Sequence, residues 1–246
     1  MSIYKRSVNS HALKIKIMSN LVLSVLVFSV GVLCLAPIKG GVTTDGNQTE
    51  IYRSAKENPT GVSLMFNVYM GTDEVYDILE ILENHQAKAT FFIGGCWADD
   101  NVDCVKDIYK KGHEIGNHGY FHKDHASLSL AQNQKEIAQC NKFLQLAIGK
   151  KITLFAPPSG AYNEATLTAC RTLGMKTILW SKDTIDWRDK DASIIYTRAT
   201  KNVTKGDFIL MHPTPATVAA LEDVLRYYER NSLQLVTVSE NLQEKS

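Results

Sequence analysis

The chain has 246 residues, 44% of them hydrophobic, which is enough for one sizeable domain with a full apolar core and an N-terminal appendage. Its net charge of +1 is unevenly placed: residues 1–40 hold five basic and no acidic side chains, leaving 22 basic against 26 acidic in 41–246. A mildly acidic domain with no basic stripe argues against nucleic acid as a partner, because phosphate neutralisation supplies most of that affinity.

In chain order, residues 1–16 form a basic N-terminus with Lys5, Arg6, Lys14 and Lys16. Residues 21–36 (LVLSVLVFSVGVLCLA) carry no charge, and with their neighbours over 17–38 they approach the ~20 residues a spanning helix needs. The basic flank before this stretch predicts a cytoplasmic N-terminus and an exported remainder. The expectation is a single-pass membrane anchor over 17–38 with the domain on the extracytoplasmic side. A cleaved signal peptide is the alternative, against which Pro37 stands directly after Cys34, Leu35 and Ala36. Residues 39–60 are polar and rich in Gly, Thr and Asn, which predicts a flexible linker and places the folded domain at 61–246.

Within 61–246, short apolar runs alternate with helical patterns. A strand is predicted at 62–66 and a helix at 73–85, then a strand at 89–93 and a helix at 102–111. A strand at 113–117 leads to a long helix at 130–148. A strand at 153–155 leads to a helix at 164–173, capped by Asn163 and ended by Gly174. Strands at 177–180 and 207–211 precede helices at 192–202 and 216–230, and 233–238 closes the series before a short helical tail. Strict alternation implies a parallel sheet covered by helices, either open or closed into a barrel. No nucleotide-binding glycine loop follows the first strand. Export would let disulfides persist. The spacing of Cys96 and Cys104 allows a local bridge, and Cys140 and Cys170 fall on apolar helix faces where a reduced, buried state is the other reading.

In parallel α/β folds, functional groups gather where strands end. Five segments carry distinctive residues at such points: 66–71, 118–122, 155–160, 183–187 and 210–213. The spacing His118-x-x-x-His122 lets two imidazoles converge on one metal ion; equally, such a pair can be structural. His212 ends a strand and reads either as a satisfied core histidine or as a general acid whose ring Asp186 orients. Trp187 beside it is a pocket wall or core.

Together the phrases KATFFIGG, GHEIGNHGY, DTIDWR and ILMHPTPATV resemble the NodB-type polysaccharide deacetylases, carbohydrate esterase family 4, and most of all the sporulation-associated members with a substituted first catalytic motif. The resemblance runs from about Gly61 to the C-terminus. It implies a distorted (β/α) barrel of about seven strands and metal-dependent removal of acetyl groups from N-acetylated cell-wall glycan, with zinc or another divalent ion as cofactor. It also implies that His118 and His122 are metal ligands, that His212 protonates the leaving amine, and that Asp186 orients His212. Trp187 and Leu210 would line the groove for the acetyl methyl, and the backbone N–H of Ser159 would help stabilise the oxyanion.

Three family positions differ. The family's first strand ends in Phe-Asp-Asp-Gly, supplying the general base and a third metal ligand; here Asn67 and Val68 stand in those places. The arginine that pairs with the base is Ala156. Asn67 keeps the shape of an aspartate but cannot accept a proton from water near neutral pH. Once the carboxylate is gone, an arginine beside it would be an unpaired buried charge costing several kcal/mol, so Ala156 is what loss of the base would permit. Candidate replacements are Asp73, Asp124 and His125 toward a metal and Asp183 as base, each of which also reads as a solvated loop residue or a helix cap. Two functions are therefore expected: a deacetylase with impaired turnover, or a glycan-binding pseudoenzyme.

Overall fold

The computed structural model describes residues 51–243. The basic N-terminus, the expected membrane anchor at 17–38 and the first part of the expected linker lie outside the described residues. Among the described residues no helix is long and apolar enough to cross a membrane.

Eight parallel strands form one sheet: β1 (Ile51–Tyr52), β2 (Ser63–Val68), β3 (Thr90–Ile93), β4 (Glu114–Asn117), β5 (Leu154–Phe155), β6 (Lys176–Ile178), β7 (Lys182–Asp183) and β8 (Phe208–Met211). Their order is β1-β6-β5-β4-β3-β2-β8-β7. The helices are α1 (Thr72–Asn84), α2 (Gly95–Asp100), α3 (Val102–Lys110), α4 (Leu130–Ile148), α5 (Glu164–Thr172), α6 (Ala192–Thr200), α7 (Pro215–Arg230) and α8 (Val238–Asn241).

The order requires a curled sheet. β6 and β7 are six places apart in it, yet only Leu179, Trp180 and Ser181 join them. Laid flat, six spacings of ~4.8 Å would separate them by about 29 Å, whereas four Cα steps reach at most about 15 Å. The connection bridges the two ends of the sheet. The Leu179 N–H donates to the Tyr52 carbonyl (2.8 Å) and the Ser181 N–H to the Phe208 carbonyl (3.1 Å). Below it, Ser54 bridges Asp207 and the Ala55 N–H donates to Gly206 (2.8 Å). The ambiguity between open sheet and barrel is resolved as a distorted (β/α) barrel.

Alternation along β2 divides the core in two. Leu64, Phe66 and Val68 face the helices, while Met65 packs in the lumen with Phe92, Leu154, Ala156, Ile178, Phe208 and Leu210. Phe92 fills the lumen across Gly116, where a Cβ would lie 2.5 Å from its ring. The barrel is packed, not a pore, and its chemistry is confined to the rim where the strands end.

Several expectations change. Residues 51–60 are not all spacer, since β1 pairs with β6 there. The expected strand at 233–238 reduces to a single bridge between Val62 and Leu235. After it, α8 turns under the barrel, and the buried Asn241 amide donates to Gly61 (2.9 Å) and accepts from Thr60 (3.1 Å). β7 and α2 were not expected, because Lys182 and Asp183 form no apolar run and residues 95–100 show no full helical period. The Cys96–Cys104 bridge does not form: all four described cysteines are free. Cys96 opens α2 and meets Tyr69, whereas Cys104 turns to Tyr76 and burial pushes its thiol up to about 11.

α1 and α7 are latched by His85, which lies 3.0 Å from Glu222 and 2.6 Å from Glu229. Burial pulls its pKa down, but the hydrogen bonds to Glu229 and Glu222 outweigh it, and the net shift is upward. A raised folded-state pKa contributes stability that is complete below the unfolded value near ~6.5 and is lost as pH rises through the folded value. Wild type is thus expected to unfold at a higher temperature than His85→Gln at pH 6, with the gap closing by pH 9. With both glutamates largely exposed, the gap is at most about 1 kcal/mol. A gap in Tm that is the same at both pH values would contradict this.

Candidate functional site

At the strand ends lies one groove of about 1260 Å³, and its walls include all eight residues singled out from the sequence: Asn67, His118, His122, Ser159, Asp186, Trp187, Leu210 and His212. They come from β2, β8 and the loops after β4, β5, β7 and β8.

His118 immediately follows β4, and its Nδ1 lies 2.7 Å from the Ala156 carbonyl oxygen. A carbonyl only accepts, so Nδ1 carries the proton and Nε2 keeps a lone pair for the groove. Burial, with His122 adding to it, pulls the His118 pKa down to about 3. The two imidazole centroids are 5.1 Å apart. Burial also lowers the pKa of His122. Their loop is tied down from α4. Glu136 accepts from the Phe121 N–H (2.9 Å) and pairs with Lys123 (2.9 Å). Asn117 accepts from the Gly119 N–H (2.7 Å) and donates to the Ile137 carbonyl (2.8 Å).

Asp186 is 1% exposed and accepts three hydrogen bonds: from the His212 backbone N–H (2.6 Å), from His212 Nδ1 (2.7 Å) and from the Thr217 hydroxyl (2.6 Å). A carboxylate at Nδ1 fixes the tautomer and leaves Nε2 of His212 for the groove. Thr217, in the first turn of α7, was not foreseen; its signal is the Thr-x-x-Thr spacing from the cap residue Thr214. Leu210 is a buried lumen residue, and Trp187 is 59% exposed, so it offers an open ring face rather than a closed wall.

Three of the rim loops each hold a non-glycine residue in the left-handed region: His122 (φ 52°), Ser159 (φ 55°) and Ile185 (φ 54°). Ile185 is held there by its N–H donating to Asp183 Oδ1 (2.8 Å). That contact occupies one oxygen of the candidate base Asp183, which does line the groove. The other proposed replacements do not line it. Asp73 is exposed on α1, Asp124 caps a short turn by accepting from Ala126 (3.0 Å), and His125 is buried against Phe155. Glu74, one residue beyond Asp73, lines the groove instead, together with Tyr69, Met70 and Lys190.

The position that the family resemblance assigns to the base is a lumen position. Asn67 lies next along β2 on the face of Met65, is 4% exposed, and its Oδ1 is buried with no hydrogen-bond partner among the described residues. Val68 points the other way, into the layer between sheet and helices. The divalent ion expected at His118 and His122 therefore lacks its ligand set. Among the described residues no group of three His, Cys, Asp or Glu can hold a metal, and two neutral imidazoles fall short of the three protein ligands of a catalytic zinc site. The residues present do not fit the ion.

The polysaccharide deacetylase family matches residues 54–178. A peptidoglycan-N-acetylglucosamine deacetylase of Bacillus cereus is 34% identical over 183 residues, covering 71% of this chain and 85% of that protein. YlxY of Bacillus subtilis is 36% identical over 213 residues, covering 86% of this chain and 66% of YlxY, so this chain spans about two thirds of YlxY's length. Among solved structures, the CE4 family pseudoenzyme BA3943 of Bacillus anthracis superposes with a TM-score of 0.77 at 31% identity, covering 80% of this chain and 70% of that one. A BA3943 mutant with restored enzymatic activity superposes with the same TM-score at 30% identity, covering 80% and 72%. The chain belongs to the polysaccharide deacetylase family, carbohydrate esterase family 4.

Thr217→Val keeps the shape of the side chain but removes a hydrogen bond to a buried charge. It is expected to cost about 1.5–3 kcal/mol, read as a lower Tm in thermal unfolding, with Thr217→Ser close to wild type. Equal Tm values for Val and wild type would show that the hydroxyl does not hold Asp186.

Proposed function

We propose that the chain is exported, held to the membrane by residues 17–38, and binds N-acetylated cell-wall glycan of the peptidoglycan type in the rim groove with strongly reduced turnover. The observation that carries this reading is Asn67, whose unpartnered amide oxygen sits at the base position in the lumen layer that also holds Ala156. An amide cannot take the proton of an attacking water, and loss of a general base commonly costs about 10²–10⁴-fold. The family membership and the peptidoglycan deacetylase named among its relatives support the glycan. BA3943 sets a precedent within the family, being a pseudoenzyme of which a mutant has restored enzymatic activity. A working deacetylase is the second reading, favoured by the intact pairing of Asp186 with His212 and Thr217.

Acetate release from N-acetylglucosamine oligomers and from peptidoglycan, with added Zn²⁺ or Co²⁺, separates the two. Wild type is expected to match a His118→Ala control, and release clearly above that control would establish the second reading. Asn67→Asp is expected to gain activity, and Asn67→Asp with Ala156→Arg to gain more. A folded double variant as inactive as wild type would overturn the reading of the groove.

The same pair gives a stability test. Ala156→Arg alone puts an unpaired charge among Met65, Phe92 and Leu210 and is expected to cost about 3 kcal/mol or more. Adding Asn67→Asp should recover part of that loss in denaturant unfolding. Purely additive costs would mean that positions 67 and 156 do not face each other.

A further inference from the structure

Tyr69 lies in the strand-end segment 66–71, two residues past Asn67, and lines the groove. Its ring is seated on bare backbone, since a Cβ on Gly94 would lie 2.3 Å from Tyr69 Cδ2. The His122 imidazole packs beside it, with centroids 4.7 Å apart and planes tilted by 40°. Its hydroxyl meets the Cys96 thiol. Backbone, imidazole and thiol therefore fix the ring, yet the side chain stays partly open to the groove. Met70 beside it is 66% exposed, and the open face of Trp187 lies on the same groove.

We infer that Tyr69 is a carbohydrate-stacking residue and that the groove holds an N-acetylhexosamine without a metal ion. The inference rests on the glycan-binding reading above and names how that binding is achieved. A pyranose presents a face of C–H groups that packs on an aromatic ring, and a ring already immobilised loses little entropy when it does so. Two of the groove's polar groups, His118 and Asn67, are uncharged and complementary to an acetamido group. His118 Nε2 offers a lone pair to an N–H or hydroxyl, and the Asn67 amide can donate to the acetyl carbonyl, which the carboxylate it replaces could not do. The metal expected from the family and the donor set found here disagree, and stacking plus neutral hydrogen bonds account for ligand binding without it.

The test is calorimetric titration of the full chain, kept soluble in mild detergent, with the tetramer of N-acetylglucosamine, in EDTA and again with excess Zn²⁺. Wild type is expected to bind with the same Kd in both. Tyr69→Ala is expected to weaken binding about tenfold and Tyr69→Phe to leave it within about threefold, since the ring and not the hydroxyl makes the contact. Binding lost in EDTA and restored by Zn²⁺ would overturn the inference while leaving glycan binding in place, and this arm needs no variant. Unchanged affinity in a folded Tyr69→Ala would overturn it as well. Failure of wild type to bind the tetramer or a disaccharide–peptide fragment of peptidoglycan in either condition would instead sink the glycan-binding reading, and this inference with it.

Discussion

The three-residue step from β6 to β7 is the constraint on which the site depends. Because Leu179, Trp180 and Ser181 cannot span a flat sheet, the two ends of the sheet must meet, and β7 takes its place beside β8. Only then does the loop after β7 lie next to the end of β8, so that Asp186 reaches both the backbone and the ring of His212. The same curl turns alternate residues of β2, β3 and β8 inward, and Met65, Phe92 and Leu210 fill the lumen beneath the groove. A floor of close-packed apolar side chains holds the rim groups to fixed positions and keeps water from reaching them from below.

That floor also explains why the missing groups are missing together. Asn67 and Ala156 belong to one lumen layer where neither a lone carboxylate nor a lone guanidinium is tolerated. Removing one charge makes the other costly, and an apolar residue is the stable answer. The Asn67 oxygen is buried there with no hydrogen-bond partner among the described residues. Val68 has a different set of contacts: it faces α1 and its neighbours in the sheet–helix layer, and serves packing rather than the groove.

Long amphipathic helices and continuous apolar strands were legible in the sequence because burial imposes a period on them. α4 runs over Leu130–Ile148 as its pattern predicts, and the eight site residues converge because each follows or ends a strand. What escaped was set by tertiary geometry rather than by local pattern. β7 has two polar residues and exists only because the curl delivers it to β8. The 233–238 run is apolar enough for a strand, but it meets β2 at a single bridge and then turns under the barrel. On α1, Glu74 reaches the groove and Asp73 does not; one residue of helical rotation decides between them.

The backbone carries a further argument about what the groove does. His122, Ser159 and Ile185 each hold a left-handed conformation, which costs a non-glycine residue about 1 kcal/mol or more, and most for the β-branched Ile185. Such strain persists only where surrounding contacts over-determine it. Here they do: Glu136 from α4 and Asn117 from the end of β4 brace the His122 loop, Asp183 clamps Ile185, and Gly160 lies against Trp180 beside Ser159. Three separately braced left-handed residues thus fix the shape of the rim around the groove.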